Sequence, residues 1–133
     1  MYLDFLSKQK VYLYLVFRVV IGYLFFQHGA QKLFGWFGSK GTVELMSLMG
    51  LAGVLELLVG LALLLGLFSR LAALGGVAVM LGALFKVHLP QALNPALNGG
   101  ELAVLYLASF LVLLAHGNGI WSLEKYLLKK ELF

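Results

Sequence analysis

Eight polar side chains lie within or beside long apolar stretches of this sequence, and their types suit the binding of a polar group inside a membrane. A carboxylate deep in a bilayer costs about 2.5–3.5 kcal/mol on insertion scales unless it faces a partner or a wet cavity. Glu56, in the apolar run 49–68, is such a group. Lysine and histidine can pair with it or donate hydrogen bonds to a carbonyl oxygen. We therefore predict a polar site formed by Arg18, His28, Gln31, Lys32, Glu56, Lys86, His88 and Glu101.

The composition is that of an integral membrane protein. The chain has 133 residues, of which 62% are hydrophobic and 12% charged, whereas soluble domains are nearer about 45–50% apolar and about 25% charged. Cysteine is absent, which excludes disulfides, cysteine-ligated iron–sulfur clusters and covalent c-type haem attachment. The formal net charge is +4, but the basic residues are scattered, so no nucleic-acid partner is expected.

Hydropathy predicts one domain over 1–133 with four membrane spans. The second and third spans are separated by so few residues that they must form a tight antiparallel hairpin. The predicted fold class is an all-α membrane protein, an antiparallel four-helix transmembrane bundle with a short C-terminal amphipathic helix. The spans are expected at about 11–33, 46–67, 70–89 and 100–116.

The segment 121–133 is predicted to contain the C-terminal helix, with Ser122 as its N-cap and Glu124 in its first turn. We expect this helix to lie on the membrane surface, and a disordered tail is the alternative. The first span follows two lysines, as a signal peptide does. It carries Arg18 and ends without a small-residue cleavage site, so we predict that it is retained.

Basic residues outside the spans are divided unequally between the two ends of the predicted bundle. The end that bears both termini has Lys8, Lys10, Arg70, Lys125, Lys129 and Lys130, against Lys32, Lys40 and Lys86 at the other end. The positive-inside rule then places both termini in the cytoplasm. The predicted polar site falls in the outer half of the membrane, apart from Arg18, which is the deepest cation.

Helical periodicity places the charges on the same faces as the glycines. These stripes are Arg18, Gly22, Phe25, Gly29 and Lys32; then Gly53, Glu56 and Gly60; then Gly75, Val79, Gly82 and Lys86. Because glycine faces allow close helix packing in membranes, the charges are predicted to point inward. The plainer alternatives are a structural pair of Glu56 with Arg18, Lys32 or Lys86, an Arg18 that snorkels to the headgroups, and lysines that only anchor the interface.

Neither haem nor a metal is predicted as a cofactor. His28, His88, Glu56 and Glu101 are suitable ligand types, but no pair of them has the local spacing of a helical metal site. The sequence also has no nucleophile triad, phosphate loop or dinucleotide fingerprint. No catalytic residues are therefore assigned.

Seven short motifs in order resemble the DoxX family of small four-helix membrane proteins. They are Arg18 with Gly22, HGAQKLFG at 28–35, ELLVG at 56–60, LGLFSR at 65–70, KVH at 86–88, NGGELA at 98–103 and GNGIWSLE at 117–124. The resemblance implies a bundle in the cytoplasmic (inner) membrane of a bacterium or archaeon. It also implies a loose association with quinone-linked redox chemistry and with membrane oxidoreductase complexes. Distant animal relatives act as assembly chaperones for receptors, so the fold does not fix the activity.

Three functions are compatible with these features. The first is a redox-associated subunit that binds a quinone-like or other apolar ligand in an outer polar cavity walled by Phe25, Phe26, Trp36 and Phe85. The second is a non-enzymatic assembly factor or chaperone. The third is a proton or ion pathway through Glu56, Arg18 and His116. Expected partners are the lipid bilayer, another membrane oxidoreductase subunit and a second copy of the chain.

Overall fold

The computed structural model describes residues 2–133, and every regular element in that range is helical. The third long helix, Ser69–Ala83, continues without interruption into a π-helical turn, Leu84–His88. The predicted class, an all-α membrane protein, is confirmed. The helices are α1 Tyr2–Lys8, α2 Lys10–Phe34, α3 Leu48–Leu65, α4 Ser69–Ala83, α5 Pro95–Asn98, α6 Glu101–His116 and α7 Leu123–Leu128.

Four long helices, α2, α3, α4 with its π turn, and α6, form an antiparallel bundle, and their ends fall within two residues of the predicted spans. Three of the helices described within residues 2–133 are long and apolar enough to cross a membrane. The fourth, α6, is apolar but has 16 residues. We call the end that holds both termini the terminal end and the opposite end, where α2 finishes and α6 starts, the distal end.

Glycines bring the backbones of α2 and α3 into direct contact. A Cβ added at Gly29 would lie 2.5 Å from the backbone nitrogen of Leu57, and one added at Gly22 would lie 2.9 Å from that of Leu64. A Cβ at Gly60 would lie 2.7 Å from the carbonyl oxygen of Gly22. The predicted glycine faces of these two helices therefore do pack against each other, as small residues do in membrane bundles.

Gly82 on α4 has a different environment. Apart from its two chain neighbours and the backbone of its own helix, no atom of residues 2–133 lies within 4 Å of the position that its Cβ would occupy. This glycine was predicted to pack against a neighbouring helix, and that prediction is wrong, because the space beside it is open.

The contrast between Gly60 and Gly82 predicts opposite effects of adding a methyl group. Gly60→Ala is expected to lower the free energy of unfolding in detergent by about 1–3 kcal/mol, because backbone atoms of α2 must move. Gly82→Ala is expected to be neutral or slightly stabilising, because alanine favours the helix by about 0.5–1 kcal/mol and meets no neighbour. Thermal unfolding of the two variants checks this, and equal losses would contradict it.

The apolar core lies between α2, α3, α4 and α6. Phe110 is fully buried, and its ring meets that of Phe25 edge to face at 4.8 Å between centroids. Gly76 makes room for it, since a Cβ there would lie 2.7 Å from the Phe110 ring. This aromatic contact fills the interior of the bundle midway between its two ends.

The C-terminal tail folds back onto the turn between α3 and α4. Ser122 caps α7 as predicted, accepting a hydrogen bond from the backbone nitrogen of Lys125 at 3.2 Å. Its hydroxyl also donates to the carbonyl of Gly66 at 2.7 Å. The backbone nitrogen of Arg70 donates to the carbonyl of Phe133 at 3.0 Å. The predicted C-terminal helix is thus present as α7 and the tail is not disordered, with its polar groups bound to the bundle, and its position on the membrane surface stays a prediction.

Candidate ligand cavity

A cavity of about 490 Å³ lies in the distal half of the bundle, bounded by α2, α3, α4 with its π turn, and α6. Most of its wall is aliphatic. Its polar and aromatic lining residues come from all four helices, as predicted for the polar site, and they are Phe25, His28, Lys32, Glu56, Lys86, His88 and Tyr106.

An ion pair between Lys32 and Glu56 forms the polar centre of this wall. The ammonium nitrogen of Lys32 donates to both carboxylate oxygens of Glu56, at 2.6 and 2.8 Å. The Glu56 residue is 4% exposed, whereas the Lys32 side chain is 22% exposed. Of the three cations considered as partners for Glu56, the structure selects Lys32. An ammonium has three N–H donors, and the two carboxylate oxygens of Glu56 accept from two of them. One donor of Lys32 is therefore left for a ligand.

The imidazole of His88 is fixed by the loop before α6. Its Nδ1 lies 3.0 Å from the carbonyl oxygen of Asn98. A carbonyl can only accept, so Nδ1 must carry the proton and the Nε2 of the neutral ring keeps a free lone pair. Asn98 is itself held, because its amide nitrogen donates to the carbonyl of Ala92 at 2.9 Å. His88 therefore offers the cavity a hydrogen-bond acceptor.

The π turn places three consecutive residues at the cavity. Lys86, Val87 and His88 all line it, although neighbouring residues of an ordinary α-helix point about 100° apart. Single π turns inside α-helices are found frequently at functional sites. Sequence patterns did not reveal this turn, because its residues have no distinctive composition.

The aromatic wall differs from the predicted one. Phe25 lines the cavity, and Tyr106 joins it with its ring 5.2 Å from that of Phe25. The other three predicted wall residues lie elsewhere: the ring of Phe26 contacts that of Phe37, Trp36 packs against Phe34, and Phe85 is exposed. Tyr106 was missed because α6 has no charged residue nearby to mark its inward face.

The structure places three of the predicted site residues outside the cavity. Gln31 donates to the carbonyl of Phe37 at 3.3 Å in the loop after α2. Glu101 begins α6 and is exposed. Arg18 lies near the terminal end, because α2 carries it about 21 Å from Lys32 at 1.5 Å per residue. The predicted single cluster is therefore divided into two sites.

The site at the terminal end is built around Arg18, which is 1% exposed. Its guanidinium donates to the carbonyl of Leu63 at 2.9 Å, of Ile120 at 3.0 Å and of Trp121 at 3.1 Å, and also to the carbonyl of Asn118. These carbonyls belong to the C-terminal turn of α3 and to the loop after α6. Arg18 therefore does not snorkel to headgroups; it joins the tail to the bundle.

Glu124 completes this second site and is fully buried. Its carboxylate accepts hydrogen bonds from the backbone nitrogen of Phe68 at 2.7 Å, from the amide of Asn118 at 3.2 Å and from the backbone nitrogen of Leu132. Burial alone would raise the pKa of Glu124, but these donors outweigh burial and hold its pKa below the usual range.

This lowered pKa predicts acid-induced release of the tail. A carboxyl whose pKa falls on folding stabilises the fold above its usual pKa of about 4.3, and that contribution is lost as the pH falls through the lower folded value. Protease cleavage after α6 should therefore accelerate below about pH 4, and Glu124→Gln should accelerate it already at neutral pH. Glu131, which accepts from the backbone nitrogen of Asn118 at 2.9 Å, is the matched control: Glu131→Gln should leave most of the acid response intact.

The four residues with suitable types for metal ligands do not come together. His28, His88 and Glu56 line the cavity, but Glu101 does not. Within residues 2–133 no group of three or more histidine, aspartate or glutamate side chains is arranged to hold a metal ion.

An all-helical bundle with spanning-length helices and a polar-centred internal cavity defines a small membrane protein with room for a ligand. The DoxX family model matches residues 13–89, and the chain belongs to this family. An uncharacterized protein of Haemophilus influenzae is 36% identical over 132 residues, covering 94% of this chain and 98% of the relative. No solved structure shows significant similarity.

Proposed function

We propose that this DoxX-family protein binds a quinone-like ligand in the distal cavity and serves as a redox-associated subunit of the membrane. The observation that carries the proposal is a largely aliphatic cavity of about 490 Å³ with a buried Lys32–Glu56 pair at its centre. Sites for small apolar molecules are typically about 300–1,000 Å³ and combine apolar walls with a few placed polar groups.

The cavity supplies the contacts that a quinone ring requires. Phe25 and Tyr106 offer aromatic surfaces, against which a flat ring can stack. The remaining proton of Lys32 and the hydroxyl of Tyr106 can donate to ring oxygens, and His88 can accept from a hydroxyl. A bound quinone would supply two-electron redox chemistry. These residues would hold its oxygens, and because the chain has no cysteine, electrons would be exchanged with a partner oxidoreductase subunit.

The cavity-filling variant Gly82→Phe tests this function. Gly82 lines the cavity and no neighbour obstructs a side chain there, so the ring should occupy the ligand's space without disturbing the bundle. We expect at least a tenfold loss of binding for a short-tailed benzoquinone titrated into purified protein. Leu81→Phe is the matched control, because Leu81 is exposed on the same helix and does not line the cavity. Equal affinities for both variants, or no binding by the unmodified protein, would contradict the proposal.

A proton or ion pathway has less support from the geometry. Arg18 is enclosed by backbone carbonyls, and the buried side chains of Phe25, Leu63 and Phe110 lie in the core between the two polar sites.

For orientation, we propose that the terminal end faces the cytoplasm in the inner membrane. The support is the excess of lysine and arginine at this end, where Arg70, Lys125 and Lys129 lie. Protease access to the tail only in inverted vesicles would agree with this orientation, whereas access in right-side-out vesicles would reverse it.

A further inference from the structure

The rim of the cavity is chemically unlike its interior. The inner wall is buried, with Phe25 and Tyr106 almost inaccessible, whereas Leu48 and Leu51 on α3 and Val87 on the π turn line the cavity and are exposed. Both flanking helices are of the length and composition that cross a membrane. The exposed rim therefore faces lipid.

The gap between α3 and α4 widens toward the distal end. Nearer the turn that joins the two helices, a Cβ at Gly75 would lie 3.3 Å from Val59, which is closer than an ordinary van der Waals contact. Two helical turns further along α4, a Cβ at Gly82 would meet no atom of a neighbouring helix in residues 2–133 within 4 Å. The missing side chain of Gly82 thus keeps a lateral opening between the two helices.

A second, smaller pocket of about 360 Å³ lies beside the cavity at the distal end, and we call it the vestibule. Its lining is more polar than that of the cavity and comes mostly from the loop after α2, and Lys32 lines both the vestibule and the cavity. The remaining vestibule residues are Gln31, Gly38, Ser39, Lys40, Gly41 and Val43. The ion pair with Glu56 therefore lies between an apolar cavity open to lipid and a polar pocket at the membrane surface.

We propose that the cavity takes a single-tailed membrane amphiphile sideways from the lipid, with its polar head at Lys32 and its tail left in the bilayer between α3 and α4. A cavity of this size accommodates a drug-sized molecule, so a long lipid tail must remain outside. The vestibule gives the head contact with water while the tail stays in lipid. This inference rests on the proposed function and adds the route and the tailed class of ligand.

A tail-length series separates the inference from the function on which it depends. The probes are benzoquinones with no tail, one prenyl unit and a tail of several prenyl units, titrated into protein reconstituted in liposomes. Lateral binding predicts that the long tail costs no affinity relative to the single prenyl unit. If affinity falls tenfold or more with the long tail, the ligand is enclosed and the inference is overturned while the proposed function stands. If no probe binds, both are overturned.

Spin labels test the two openings independently of any ligand. The chain has no cysteine, so single variants can be labelled cleanly. A nitroxide on Leu51→Cys should be relaxed more by oxygen, which dissolves in lipid, than by a water-soluble nickel chelate. A nitroxide on Ser39→Cys in the vestibule should show the reverse. Leu74→Cys, exposed on α4 outside the cavity, is the lipid-facing control. A Leu51 label relaxed mainly by the nickel chelate would overturn lateral access.

Discussion

Replacing Arg18 with methionine is expected to reduce the stability of the bundle by about 3–5 kcal/mol, because several buried carbonyls lose the charged donor that satisfies them. The carbonyls of Asn118, Ile120 and Trp121 would lose this donor, whereas the carbonyl of Leu63 would keep the backbone nitrogen of Gly66 at 3.3 Å. Each buried carbonyl left without a partner costs roughly 1–3 kcal/mol. The tail should consequently separate from the bundle before the helices unfold. Limited proteolysis and thermal unfolding in detergent measure the two effects.

Two further variants make the Arg18 prediction specific. Arg18→Lys should recover only part of the stability, because an ammonium cannot reproduce the fork of a guanidinium. Arg70→Met is the matched control: Arg70 also donates to carbonyls near the end of α6, at 3.2 and 3.3 Å, but it is exposed. The loss of stability in Arg70→Met should be below about 1 kcal/mol. A tail that stays protease-resistant in Arg18→Met would disprove the proposed connection.

The second large expected effect is on stability when the Lys32–Glu56 pair is broken. The loss should be larger when Lys32 is replaced than when Glu56 is replaced. Lys32→Met leaves the more deeply buried Glu56 without a partner, whereas Glu56→Gln leaves a lysine that can reach the polar vestibule. We expect the first change to cost about 3–5 kcal/mol and the second to cost distinctly less. Thermal unfolding of both variants at neutral pH measures the difference, and equal losses would show that burial of the two partners does not matter.

The double variant Lys32→Met with Glu56→Leu tests whether the pair is needed for folding at all. Replacing a buried pair by apolar side chains of similar volume is often neutral or stabilising by about 1–4 kcal/mol. We expect the double variant to be more stable than Lys32→Met alone but unable to bind the quinone probe. Glu44 is exposed and serves as the control for replacing a glutamate with alanine. Glu56→Ala should lower the stability of the bundle more than Glu44→Ala does.

Sequence periodicity predicted the helices and the packing of α2 against α3 because both depend on local residue type. The packing could be predicted from three glycines, because only glycine permits the observed backbone contacts at Gly22, Gly29 and Gly60. The inward orientation of the Glu56 side chain could be predicted for the same reason. Its partner was not, since three cations were close enough in the predicted bundle.

The second polar site could not be predicted from side chains, because its acceptors are backbone groups. Arg18 binds four carbonyls whose positions depend on how the loop after α6 returns to α3. Glu124 looked like an ordinary first-turn acid, yet it accepts backbone donors from Phe68 and Leu132. Residue type and spacing do not encode such long-range contacts.

The length of α6 has a consequence for the surrounding bilayer. Its 16 residues extend about 24 Å at 1.5 Å per residue, whereas the hydrocarbon layer is about 30 Å thick. Lipid chains beside this helix must shorten or tilt, at a cost of fractions of a kcal/mol per Å. The 25 residues of α2 impose no such deformation, so the bilayer is thinned on one flank of the protein and not on the other. Thinner membrane regions, or another short helix placed against that flank, would relieve the deformation.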